Sequence, residues 1–129
     1  MRRAVAPLVF VVAVAGVVAW IVPASATTAT VTGQVVDLVC YARNKANTGL
    51  DHDDGRACAM ACVKWEGNPV GIVAADGKVY QFAGDIVANN NAKVAPLLAK
   101  TITVTGDVTE KDGMTMLSAK ATDAKVIIK

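Results

Sequence analysis

Aromatic residues and histidine are scarce in this chain: the 129 residues include 5% Phe, Trp and Tyr, and His52 is the single histidine. One histidine gives little general-base capacity at neutral pH, and Ser118 is the only serine after residue 26. G-x-S-x-G, a phosphate-binding glycine loop and a dinucleotide fingerprint are absent. The chain also lacks C-x-x-C and C-x-x-C-H. We therefore expect a non-enzymatic role rather than a hydrolase, a nucleotide-dependent enzyme or a c-type cytochrome.

The longest apolar run lies at the N-terminus. Residues 4–22 carry no charge, Arg2 and Arg3 precede them, and the small residues Ala24 and Ala26 follow. This order is typical of a secretory signal peptide, so we predict that residues 1–26 form a leader cleaved after Ala26. An uncleaved anchor is the alternative, because a run of this length can span a bilayer. Both interpretations place residues 27–129 in the periplasm or outside the cell.

The predicted mature chain has no excess of either charge. Loss of Arg2 and Arg3 with the leader leaves a domain whose acidic and basic residues balance. A neutral domain lacks the basic surface that nucleic acid requires, so we expect no nucleic-acid partner. The expected partner is an unknown periplasmic or envelope protein, with membrane contact only if the leader is uncleaved. Residues 27–129 form one small domain, and such domains gain stability from a disulfide or a metal ion.

Several segments have the composition of strands, being rich in β-branched residues and bounded by turn residues. These are residues 31–40, 69–74, 79–83, 101–109 and 114–120, with 124–128 as a further short strand. Residues 27–30 are predicted to be a polar leader to the first strand. Helices are predicted over residues 56–65 and 91–100. Pro96 suits the first turn of a helix, so the regular part of the second helix is expected to begin near Ala95. We expect the paired residues Tyr80 and Phe82, and Met114 and Met116, to pack in the core.

The pattern V-T-G-x-V occurs twice, at residues 31–35 and 104–108, in the predicted first and fourth strands. Glycine in such strands permits the sharp coiling that a small closed barrel needs. By this pattern and its element order, the mature chain resembles small exported bacterial OB-fold proteins over about its whole length. The resemblance implies a mainly β, five-stranded OB-like barrel. One short helix would lie between strands 3 and 4, and a helical cysteine-rich insert between strands 1 and 2.

That insert, residues 40–68, contains all three cysteines and the histidine. Cys58 and Cys62 are four residues apart on the predicted helix and therefore share one of its faces. Cys40, predicted at the end of the first strand, reaches them if the helix folds back on the barrel. Thiolate and imidazole ligands suit Zn²⁺, and thiolates also suit Cu(I). We therefore predict a metal site, for zinc or copper, formed by Cys40, His52, Cys58 and Cys62.

The same cysteines allow two other interpretations. A disulfide from Cys40 to Cys58 or Cys62 would pin the long loop of a structural or protein-interaction module, because disulfides persist in exported proteins. One thiol would then remain, and a thiol-redox partner could use it. His52 lies among three aspartates and is also consistent with a solvated loop residue. The spacing of those aspartates does not fit a calcium-binding EF-hand loop.

Overall fold

The computed structural model describes residues 25–50 and 58–127, apart from the side chain of Cys58. Five strands form a closed barrel: β1 (Thr27–Asp37), β2 (Val70–Ala74), β3 (Val79–Ala83), β4 (Thr101–Lys111) and β5 (Met114–Val126). The order around the barrel is β1-β2-β3-β5-β4, with β3 and β5 parallel and the other pairs antiparallel. The prediction of a mainly β fold with a five-stranded barrel is thus confirmed.

Two helices lie between β1 and β2 in the chain: α1 (Leu38–Arg43) and α2 (Cys58–Trp65). A short kinked segment, α3 (Ala88–Asn91), has a left-handed backbone at residues 89–91 and lies between β3 and β4, flanked by 3₁₀ turns at Gly84–Val87 and Ala95–Leu97. Among the residues described, no helix is long and apolar enough to cross a membrane. The apolar run of the predicted leader lies outside the described residues.

The barrel interior is filled by apolar side chains from every strand, which are aliphatic except for Phe82 of β3, and α2 adds two more. Ala59 and Val63 of α2 are fully buried and belong to the same cluster as the strand residues, so this helix closes the barrel core on one side. The strand residues with almost no exposure include Val35, Ile72, Phe82, Ile102, Val104 and Leu117. Burial of one such side chain contributes about 1.5–3 kcal/mol, so this cluster dominates the stability of a small domain.

Both glycines of the repeated V-T-G-x-V pattern lie where two backbones come very close. A Cβ at Gly33 would be 2.2 Å from the carbonyl oxygen of Val73, and a Cβ at Gly106 would be 2.4 Å from that of Ser118. Gly106 also adjoins the irregularity where β5 carries extra residues against β4. Glycine is required at both positions because no side chain fits between the strands.

The first strand begins and ends earlier than predicted. Residues 27–30 belong to β1, because this strand pairs with β4 from Thr27 onward. Cross-strand hydroxyl pairs accompany that pairing, with 2.8 Å between the Oγ1 atoms of Thr30 and Thr105. The strand stops at Asp37, which caps α1, so the prediction that Cys40 ends a strand is wrong.

The segment between β3 and β4 also differs from the predicted helix over residues 91–100. Asn89, Asn90 and Asn91 have positive φ angles, and only residues 95–97 in the predicted range form a helical turn. Ala99 has a positive φ as well, which ends that turn. Local backbone geometry therefore breaks the segment into short pieces.

The last part of the chain is one strand rather than two. β5 runs from Met114 to Val126 and includes residues 120–123, which have no register partner on β4 and form an irregularity in the pairing. Phe82 is buried as expected, and Tyr80 packs against the core. Met114 is not a core residue, since 47% of it is exposed, while Met116 is half-buried.

Candidate metal centre

Three potential metal ligands meet where α1 and α2 pack on the end of β1. One carboxylate oxygen of Asp37 and the Sγ atoms of Cys40 and Cys62 lie within 4.8 Å of one another. All three residues are buried, with 1%, 5% and 9% exposure respectively. Carboxylates are seldom buried unless polar groups satisfy them, and the Asp37 carboxylate accepts hydrogen bonds from backbone N–H groups and a side-chain amide of the same site.

Asp37 and Cys40 are close because Asp37 is the N-cap of α1. Its Oδ1 accepts hydrogen bonds from the backbone N–H groups of Val39 at 2.9 Å and Cys40 at 3.2 Å. An aspartate at this position satisfies N–H groups that have no partner within the helix. The cap therefore fixes the third residue after Asp37, which is Cys40, beside the carboxylate.

Asn68 joins this capped helix to α2. Its side-chain Nδ2 donates to both carboxylate oxygens of Asp37, at 3.3 Å to Oδ1 and 3.0 Å to Oδ2. Its backbone N–H donates to the carbonyl of Cys62 at 3.1 Å. Asn68 thus connects the Asp37 carboxylate, which caps α1, to the turn of α2 that carries the Cys62 sulfur.

Two asparagines of α3 hold the C-terminal end of α2. The Nδ2 group of Asn91 donates to the carbonyls of Val63, at 3.0 Å, and Asn68, at 3.2 Å, while that of Asn90 donates to the carbonyl of Lys64. The last carbonyls of a helix have no partner within it, so these amides satisfy them. The left-handed backbone of residues 89–91, which asparagine tolerates well, accompanies these contacts.

The loop after α1 is anchored by further amide groups. Asn47 donates from Nδ2 to the carbonyl of Cys40 at 3.1 Å, and Gln34 of β1 donates from Nε2 to the carbonyls of Thr48, at 3.0 Å, and Ala99, at 3.1 Å. The backbone that carries Cys40 is therefore hydrogen-bonded on both sides of the residue. These hydrogen bonds hold the backbone in place, so the Cys40 sulfur stays near Asp37 and Cys62.

The structure brings together two of the four residues that the sequence predicted as ligands, Cys40 and Cys62. No disulfide joins these two described cysteines. Cys58 is the first residue of α2, one helical turn before Cys62, and its side chain lies outside the described part of the structure. His52 falls within residues 51–57, also outside it. Coordination by Cys58 and His52 stays a prediction.

Asp37 is a candidate ligand that the sequence reasoning missed. The apolar residues after it, Leu38 and Val39, extended the predicted strand through Cys40 and concealed the helix start. The available signal was the aspartate itself, because Asp after a β-branched run and before a short apolar segment is a common N-cap. With this cap recognised, the D-x-x-C spacing places an acid and a cysteine on the same helical turn.

The geometry of the three ligand atoms suits a small cation. Around a tetrahedral Zn²⁺ with Zn–S bonds of about 2.3 Å, two sulfurs are about 3.8 Å apart. The three ligand atoms lie within 4.8 Å of one another, which is compatible with that spacing. Oδ2 of Asp37 accepts one hydrogen bond, from Asn68, and each carboxylate oxygen has more than one acceptor site. The carboxylate can thus keep its hydrogen bonds while it contributes negative charge or a ligand oxygen.

No protein-family model, curated protein or solved structure matches this chain.

Proposed function

We propose that the chain is an exported, non-enzymatic metal-binding protein, an OB-like barrel whose insert after the first strand holds Zn²⁺ or copper. The ligands are Cys40 and Cys62, with Cys58 and His52 completing the set and the carboxylate of Asp37 beside the sulfurs. The supporting observation is the meeting of three buried ligand atoms within 4.8 Å. The OB-like assignment draws on the barrel order and the parallel pairing of β3 with β5.

Charge compensation is the physical reason for preferring a cation at this point. Two thiolates and a carboxylate buried together repel one another, and each loses hydration. A divalent or soft monovalent cation offsets part of that negative charge and gains up to three ligands at once. Binding requires the thiols to lose their protons, so affinity should fall as the solution becomes more acidic.

The carboxylate favours zinc over copper as the resident ion. Cu(I) selects soft sulfur ligands, whereas Zn²⁺ also accepts carboxylate oxygen. Asp37 is buried beside both sulfurs, so a bound ion lies close to a hard, negatively charged oxygen. We therefore expect Asp37 to stabilise bound Zn²⁺ more than bound Cu(I).

The proposed location is the periplasm or the exterior of the cell, with residues 1–26 as the signal peptide. Expression of the full gene in a bacterial host, followed by intact-mass analysis of the envelope fraction, tests this. A mass that begins at Thr27 is expected. Recovery of the full chain in the cytoplasm would contradict it, and the full chain in the membrane would favour the anchor.

The metal site is tested by native mass spectrometry of the processed, reduced chain after titration with Zn²⁺ or Cu(I). One ion per chain is expected. The variants Cys40→Ser and Cys62→Ser should each lose stoichiometric metal, and Cys58→Ser and His52→Ala test the ligands predicted from sequence alone. One-to-one metal in the Cys40→Ser/Cys62→Ser double variant would overturn the proposal.

Asp37→Asn isolates the role of the carboxylate. Asparagine is also a good N-cap, so the start of α1 is kept while the charge is removed. We expect zinc affinity to fall about 10- to 100-fold, the size of effect seen when groups around a metal are altered, with a smaller effect on Cu(I). Asp76→Asn is the matched control, because Asp76 is exposed and caps a turn by accepting from the N–H of Lys78. Equal losses in both variants would exclude a role for Asp37.

The proximity of Cys40 and Cys62 also supports a second candidate, a thiol pair in a redox partner or a disulfide-pinned interaction module. Alkylation of the native protein without reduction separates the candidates. Three alkylated cysteines after chelation, together with metal in the native mass spectrum before chelation, agree with the metal site, whereas three alkylated cysteines without metal agree with a reduced thiol pair. One alkylated cysteine, with a mass lower by two hydrogens, indicates a disulfide and supports the second candidate.

A further inference from the structure

An apolar cleft of about 690 Å³ lies beside α1 on the outside of the barrel, and its described lining contains no cysteine. Its walls come from the outer face of α1, at Leu38 and Tyr41, from Val79 of β3 and from Met114 of β5. A hollow of about 220 Å³ shares Leu38, Val79 and Met114 and lengthens the cleft. Clefts of about 300–1,000 Å³ with mostly apolar walls are the usual size and character of small-molecule sites.

The charged side chains that line the cleft are all positive. Arg43 and Lys45, at the C-terminal end of α1 and just after it, belong to the lining, and none of the lining residues that the structure describes is acidic. The smaller hollow lacks both cations, so it extends the cleft at the end away from them. The result is an elongated apolar surface with two positive charges at one end, although the mature domain as a whole has no net formal charge.

We propose that this cleft binds a free fatty acid, with the carboxylate at Arg43 and Lys45 and the acyl chain along Leu38, Val79 and Met114. The guanidinium group of arginine matches a carboxylate in shape and can donate two parallel hydrogen bonds to it. Methionine is flexible and fits chains of varied conformation, and Met114 is 47% exposed beside the cleft. This inference is independent of the metal site.

The number of basic residues at the cleft fits a single carboxylate better than a lipid surface. Recognition of an anionic membrane usually takes clusters of about 4–8 basic residues. The cleft has two, and the rest of its described lining, from α1, β3 and β5, is mostly apolar. One chain with one acidic head is the occupant that these dimensions and charges fit.

The test is isothermal titration calorimetry on the processed chain from the envelope fraction, with octanoate, decanoate and dodecanoate below their micelle concentrations. One saturable site is expected. Each added methylene should raise the affinity about three- to fourfold, because each buries a similar apolar area. Decanol should bind more weakly than decanoate, and decylamine should bind least. Affinity that does not change with chain length, or that is equal for decylamine and decanoate, would overturn the proposal.

Variants locate the site. Met114→Glu places a negative charge in the apolar wall and should reduce dodecanoate affinity at least tenfold. Arg43→Gln/Lys45→Gln should reduce it about tenfold while affinity for decanol is kept, whereas the matched variant Lys100→Gln/Lys125→Gln should not change it. Similar losses in both double variants would show unspecific attraction and overturn the proposal. An absence of dodecanoate binding would also overturn the proposal, and a dimer that Met114→Glu dissociates would then identify a second copy of the chain as the occupant of the cleft.

Discussion

Replacement of Asp37 by alanine tests whether this buried carboxylate connects the two helices at the barrel end. The variant loses the N-cap of α1, which costs about 1 kcal/mol. It also removes the acceptor of the Asn68 amide, and a hydrogen bond to a charged group contributes about 1.5–3 kcal/mol. Asp37 is 1% exposed, so water cannot replace these bonds. We expect a loss of about 3 kcal/mol in the free energy of unfolding, which lies within the range that these two contributions give together.

Urea unfolding of the processed, metal-free chain measures this loss. With a slope of about 1–1.5 kcal/mol per molar urea for a small domain, the midpoint should fall by about 2–3 M. Asp76→Ala, which removes an exposed turn cap, should cost about 0.5 kcal/mol. A double-mutant cycle with Asn68→Ala should give a coupling energy above about 1 kcal/mol. If Asp37→Ala costs no more than Asp76→Ala, or if the coupling is zero, the reasoning about this cap is refuted.

Two further predictions concern the barrel. Gly33→Ala should destabilise the domain by more than about 2 kcal/mol in urea unfolding, because the new Cβ would lie 2.2 Å from the carbonyl oxygen of Val73; a loss below that of Thr32→Ala would contradict the close approach. Asp85 accepts hydrogen bonds from the side chain of Lys93 and the backbone of Ala121, which lower its pKa below the usual 3.8. A lowered pKa means that the contribution of this carboxylate to stability is present above about pH 4 and is lost as the pH falls through the lower folded value. Asp85→Asn should therefore be less stable than the wild type at neutral pH, and the difference should shrink below about pH 4; a difference that grows on acidification would contradict this sign.

The strands were predictable because their signals are local. The apolar alternation of residues 101–109 and the Asp76-Gly77 turn between two apolar runs each correspond to an observed strand or hairpin. The boundaries that failed lie where a tertiary contact overrides a local preference. Residues 27–30 look polar and irregular in sequence, yet they join β1 because β4 offers them hydrogen-bond partners.

The candidate site was predictable only in its cysteines. Their concentration in one insert pointed to a shared site, and Cys40 and Cys62 do lie together. Asp37 could not be assigned to that site from spacing alone, because its role depends on where the strand ends and the helix begins. The contributions of Asn68 and Asn91 depend on residues 23 or more positions away and have no local signature.

Sequence alone determined the alternation that makes this chain a β protein, the glycines that two strands require and the gathering of cysteines in a single long connection. These properties follow from backbone preferences and side-chain periodicity, which act over a few residues. Only the tertiary structure decided that the barrel closes through β1 and β4, and that Asp37, Cys40 and Cys62 meet in a buried space. Closure and burial depend on contacts between distant segments, whose free energy appears only when the whole core assembles.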